Sequence, residues 1–134
     1  MLFTKASEYA LLSMICIAGK EESMDVDSIS SELGISRSFL AKILQNLARE
    51  GILVSFKGAN GGFMLAQKPE EISIKRIIES AEKRKMAVFE CSISADSCAS
   101  SKGGMCQIWP MFSALQSKID DFLDTITLAN IIKK

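Results

Sequence analysis

Three cysteines, Cys91, Cys98 and Cys106, fall within one stretch of the chain as C-x6-C-x7-C. Thiolates hold iron–sulfur clusters, and the serine-, alanine- and glycine-rich segment 91–104 has the composition of a loop able to wrap around one. Structural zinc sites prefer four ligands in close CxxC pairs. A thioredoxin-like thiol couple wants CxxC at a helix N-terminus. The chain has neither arrangement. Spacing alone favours iron–sulfur ligation and leaves zinc, a thiol switch and no role open. Cys16 stands apart in an apolar segment and reads as a small buried hydrophobe. The sequence contains no histidine, which removes serine–histidine and cysteine–histidine catalysis, the HExxH metalloproteases and every histidine-ligated zinc site. No catalytic residue stands out.

A loop of this kind needs a scaffold. With 134 residues, 48% of them hydrophobic and only two prolines, the chain is expected to form one mostly helical domain with an appendage. The formal net charge is zero, but the charges are not evenly spread. Between Ser36 and Lys68 the cations Arg37, Lys42, Arg49, Lys57 and Lys68 face the single anion Glu50, a local charge of +4. A local basic surface is what phosphate contact requires. The apolar run 10–18 is too short to span a bilayer. It is followed by Gly19-Lys20-Glu21-Glu22 rather than a cleavage site, so a buried helix is expected instead of a signal peptide. The protein is then expected in the cytoplasm, away from membranes, with its cysteines reduced or metal-bound.

The pattern predicts a first helix over 4–18, with Tyr9, Leu12, Ile15 and Cys16 on or near its buried face. A second helix begins at the N-cap Asp25 and runs to Leu33. Gly34 breaks the chain, Ser36 caps a third helix, and in it Leu40, Ile43, Leu44 and Leu47 recur at helical spacing before Gly51. Two helices around a glycine turn form a helix-turn-helix signature. A strand over 52–56, the loop Lys57-Gly58-Ala59-Asn60-Gly61-Gly62 and a return strand over 63–65 then read as a wing whose backbone can approach DNA phosphates. Ile72-Ser73 opens a fourth helix with Ile74, Ile77 and Ile78 inward, and Lys83-Arg84-Lys85 ends it as a solvated run. The last helix begins near Trp109-Pro110. In it Ile108, Phe112, Leu115, Ile119, Phe122 and Ile126 repeat as a heptad seam widened by Met111 and Leu123. The expected seam partner is a second copy of the chain, because the winged part is expected to have a core of its own, and two-fold symmetry suits palindromic half-sites.

The expected fold is therefore mainly α with a small β-hairpin wing. A winged helix-turn-helix domain spans 1–80, a cysteine-bearing loop 81–107, and a dimerisation helix with its C-terminal segment 108–134. Taken together, Leu2-Phe3-Thr4-Lys5, Tyr9-Ala10, Gly34-Ile35-Ser36, the wing Lys57-Gly58-Ala59-Asn60-Gly61-Gly62-Phe63, the three-cysteine loop and Ile126-Thr127-Leu128 resemble the IscR/NsrR-type iron–sulfur and stress-sensing repressors over nearly the whole chain. The resemblance implies a homodimeric transcription regulator, not an enzyme and without a small-molecule substrate, whose affinity for double-stranded operator DNA is altered by an iron–sulfur cluster. Where the iron–sulfur-assembly branch completes a 2Fe–2S site with a histidine, this chain has Trp109, which cannot ligate. The nitric-oxide-sensing branch uses a carboxylate from the first helix of the other subunit, and the matching residue here is Glu8. The implied site is Cys91, Cys98 and Cys106 with Glu8 from the partner, and 4Fe–4S is favoured over 2Fe–2S. The recognition helix carries Ala41-Lys42 where the assembly branch has Glu-Gln, so a different operator is expected. Candidate DNA contacts are Ser36, Arg37, Ser38, Lys42 and Gln45 on the helix and Lys57, Asn60 and Gly61 in the wing. A cluster-free regulator sensing through thiols or a partner protein is the alternative within DNA binding. A thiol redox enzyme or metal-transfer module is the alternative from another class, disfavoured by the wing and the lack of CxxC.

Overall fold

The computed structural model describes residues 3–59, 61–85, 87 and 107–132. Among these residues six helices and one hairpin follow in the order α1 (Lys5–Ala18), α2 (Val26–Leu33), α3 (Arg37–Arg49), β1 (Leu53–Phe56), β2 (Gly62–Leu65), α4 (Ile74–Glu82), α5 (Trp109–Thr125) and α6 (Leu128–Ile131), with a 3-10 turn at Pro69–Glu71. This is the expected winged helix-turn-helix with a long C-terminal helix.

Each start has a local cause. The Thr4 hydroxyl accepts the Ala6 N–H at the head of α1, the Asp25 carboxylate accepts the Ser28 N–H at 3.0 Å on α2, and the Ser73 hydroxyl accepts the Arg76 N–H at 3.1 Å on α4. These satisfy donors the first turn would otherwise leave open. Gly34 ends α2 in the left-handed region, at φ 69°, where a side chain would be strained. Ser36 occupies the N-cap position of α3, but its side chain makes no capping bond and lies 3.2 Å from the Ser38 hydroxyl. The expected cap is thus positional only.

The apolar periodicity of α3 and α4 is obeyed: Leu40, Ile43, Leu44, Leu47, Ile74, Ile77 and Ile78 are all buried. That of α1 is not. Its fully buried residues are Ser7, Ala10, Ser13, Met14 and Ile17. Tyr9, Ile15 and Cys16 only lean on the edge of the core, and Leu12 is 39% exposed. The run ALLSMICIA is apolar all round, so periodicity could not select a face. The face chosen is the one whose small residues let α1 lie against α4. The Thr4 and Ser7 hydroxyls donate across this contact to the Glu82 carboxylate. Burial pushes that carboxyl's pKa up, but the two hydroxyl bonds outweigh it and the net shift is downward.

The hairpin pairs antiparallel, Leu53 opposite Leu65 and Phe56 opposite Gly62. Met24 adds a bridge to β2 by exchanging both backbone bonds with Phe63, at 3.0 and 2.8 Å. Gly62, at φ 148°, lies so close that a Cβ there would sit on the Met24 carbonyl. This close approach ties the wing to the body.

After α5 the chain turns. Ile126 is extended and outside the helix, its carbonyl accepting the Ile74 N–H at 2.9 Å, while Leu128 donates to the Ile72 carbonyl at 2.8 Å. Ile126 therefore does not continue a helical seam. Leu123 and Leu128 enter the same core as the winged part, so Leu123 does not widen an outward stripe.

Candidate nucleic-acid interface

At about 100° per residue, the buried positions of α3 leave an outward arc holding Ser38, Lys42, Gln45 and Arg49. All four are exposed, as are Ser36 and Arg37 at the helix start. Ser36, Ser38 and Lys42 line one recess with Phe39. Arg37 lines a second recess, between the start of α3 and the wing, together with Asp27, Phe56 and Gly61. The Arg37 Nε bonds the Asp27 carboxylate at 2.5 Å, with both side chains 67% exposed. A pair this open to water contributes little to stability, so the guanidinium can exchange its partner for a phosphate.

In the wing, Lys57, Gly58 and Ala59 are exposed. The Gly61 N–H is already donated to the Gly58 carbonyl at 3.0 Å. The role of Gly61 in the structure is to close the loop, because a Cβ there would collide with the Phe56 carbonyl. Asn60 lies outside the described residues. The start of α3 and the wing thus share a recess that Arg37, Phe56 and Gly58 line, while Lys42 is exposed on the helix and Lys57 on the wing, an arrangement suited to a groove with phosphates on either side.

The candidate metal ligands are divided. Cys91, Cys98 and Cys106 lie outside the described residues, and no group of metal-binding side chains occurs among the described ones. Glu8 is exposed, and the structure joins its carboxylate to Lys5 at 3.2 Å. The Cys16 thiol is pushed up to about 11, first by burial and then by Glu32, and its sulfur lies 3.6 Å from the Met24 sulfur. A thiol held protonated in this way is a poor metal ligand, in line with its reading as a packing residue.

The α5 seam is divided as well. Ile108, Met111, Leu115 and Phe122 are 56%, 59%, 41% and 62% exposed. Phe112 is half-buried, and Ile119 and Ile126 lean on the chain's own core. Among the described residues no helix is long and apolar enough to cross a membrane.

Two features escaped sequence reasoning. Met24 left no signal, because a single bridge residue has no periodicity. Phe39 stands outside the apolar repeat of α3 and drew no reading, yet it is 41% exposed at the edge of the outward arc.

Known proteins share this architecture. A candidate HTH-type transcriptional regulator of Aquifex aeolicus is 32% identical, covering 98% of this chain and 92% of that one. The HTH-type transcriptional regulator IscR of Aliivibrio salmonicida is 28% identical over 98% of this chain and 77% of its own. Among solved structures, Staphylococcus aureus CymR superposes with a TM-score of 0.72 at 26% identity, covering 98% of both chains. A model of the Rrf2 family, described as iron-dependent transcriptional regulators, matches residues 3–134. The chain is a helix-turn-helix transcription regulator and not an enzyme, and it belongs to the Rrf2 family.

Proposed function

We propose that this regulator is a repressor that binds a palindromic operator as a homodimer and that an iron–sulfur cluster on Cys91, Cys98 and Cys106 sets its affinity. The observation that carries the DNA-binding half is the recess shared by the α3 start and the wing, lined by Arg37, with Lys42 exposed on the helix and Lys57 on the wing. The exposed Ile108, Met111, Leu115 and Phe122 on α5 support a second copy as the partner, since scattered single apolar residues need no explanation but a row along one helix edge does.

The cluster half rests on the three-cysteine spacing and on the resemblance to IscR-type proteins. The donor chemistry fits: three thiols in one segment, with Glu8 as the fourth candidate on the partner. Glu8 is accessible, and its ion pair with Lys5 is a surface contact that water and salt already weaken. When bound, such a cluster supplies iron that reacts with nitric oxide or oxidants. A single carboxylate among thiolates is the more easily displaced ligand, so Glu8 would make the site responsive; the resemblance to the nitric-oxide-sensing branch favours 4Fe–4S.

A second reading has its own support. The relatives include CymR, described as the global cysteine regulator of B. subtilis, and an oxidised form of the S. aureus protein has been solved on the same fold. A cluster-free member could sense through its thiols. Anaerobic purification with an ultraviolet–visible spectrum and iron and sulfide assays separates the two. A broad band near 400 nm, with iron and sulfide present and the spectrum altered in Glu8→Ala, is the expected result. Colourless protein without iron or sulfide after reconstitution overturns the cluster and leaves the regulator standing.

A further inference from the structure

We propose that Phe39 is a base-reading residue of α3 and that it recognises the C5-methyl group of a thymine in the major groove. The inference rests on the DNA-binding reading above. Phe39 is the third residue of α3, inside the first turn, and recognition helices contact base edges with their N-terminal residues. It shares one recess of about 450 Å³ with Ser36, Ser38 and Lys42, at the edge of the outward arc nearest α1.

An exposed phenylalanine alone would mean little. This one is held in place. The Tyr9 ring of α1 meets it edge-on, with centroids 5.4 Å apart and planes at 72°, and the Lys5 ammonium lies 5.9 Å from the centre of the Tyr9 ring. Two rings in this arrangement favour each other beyond simple burial. The contact fixes the ring from the α1 side and leaves it 41% exposed. The serines and Lys42 around it can bond polar base edges. The apolar ring cannot, and the thymine methyl is the one apolar group that a base edge presents in the major groove. Tyr9 is a positioning residue in this scheme.

The test selects binding sites from a randomised duplex pool with the wild-type protein, Phe39→Leu and Phe39→Ala. The wild type should enrich a half-site with thymine at one position, and Phe39→Ala should lose the preference at that position while keeping the others. Replacing that thymine by deoxyuridine removes only the methyl group and should weaken wild-type binding about fourfold per half-site, with no effect on Phe39→Ala. Should Phe39→Ala fail to fold, Phe39→Leu and the deoxyuridine penalty on the wild type still decide. An enriched motif in which no thymine-to-deoxyuridine change weakens the wild type overturns the inference alone. No enrichment by the wild type overturns it together with the DNA-binding reading.

Discussion

Helices α3 and α5 are both amphipathic, and they use that property in opposite ways. α3 sends Leu40, Ile43, Leu44 and Leu47 fully inward and shows water mainly serines, charges and amides. α5 buries only Gln116 and Leu123 and shows water a row of large apolar side chains. The first helix is finished within its own subunit, so its outer face is free to meet a polyanion. The second is not finished: its apolar stripe is wider than its own core can cover. One edge, with Ile119 and Leu123, serves the subunit, and the other, with Met111, Leu115 and Phe122, is left over. A heptad seam therefore does not by itself say which molecule it packs against, and here it is split.

The sharpest way to break this contrast is to charge the leftover edge. Burying a leucine or phenylalanine side chain is worth about 1.5–3 kcal/mol. The double change Leu115→Asp with Phe122→Asp should weaken self-association by 100-fold or more and leave the subunit folded. Sedimentation equilibrium with circular dichroism checks this. An unchanged dimer would place the interface elsewhere.

Within α3 the two faces should separate stability from affinity. Leu44→Ala should cost about 2–5 kcal/mol of unfolding free energy, read by urea titration. The outward face and wing should act on DNA alone: Lys57→Ala should leave the urea midpoint in place and lower the salt slope of binding by about one unit. Loss of stability in the lysine variant, or a steeper salt slope, would contradict the division.

The smallest effect concerns the α1–α4 contact. The Glu82 pKa is depressed in the folded chain, so its contribution is present above the ordinary value of 4.5 and is lost as pH falls through the lowered folded value. Glu82→Gln should lower stability modestly at neutral pH, and its curve should meet that of the wild type as pH falls below about 4.5. Acid unfolding curves that superimpose would show that the hydroxyl bonds from Thr4 and Ser7 carry no linked proton.

How far the sequence could be read follows from the same physics. α3 and α4 were readable because each has polar residues on one side that force the choice of face. α1 was not, because apolar residues surround it and only the fit against α4 decides. The Ser36 cap position was readable, but not that its hydroxyl would turn to Ser38. Glycines marked the wing, while the Met24 bridge that anchors it needed the third dimension. The heptad predicted α5 but not its division, since Ile126 looks helical by spacing and is pulled out of the helix by the Ile74 backbone. Among the DNA-contact candidates Ser36 carries a cap signal and Lys42 a charge signal, whereas a partly exposed phenylalanine at Phe39 leaves no signal in type or spacing.

The most direct measurement is an anaerobic binding titration with DNA from upstream of the protein's own gene, at one fixed salt concentration, using cluster-loaded and cluster-free protein from one preparation. Sequence-specific binding is expected, with an affinity that differs between the two forms by about 5- to 150-fold, the usual range of such coupling. Equal affinity in both forms would contradict control by the cluster.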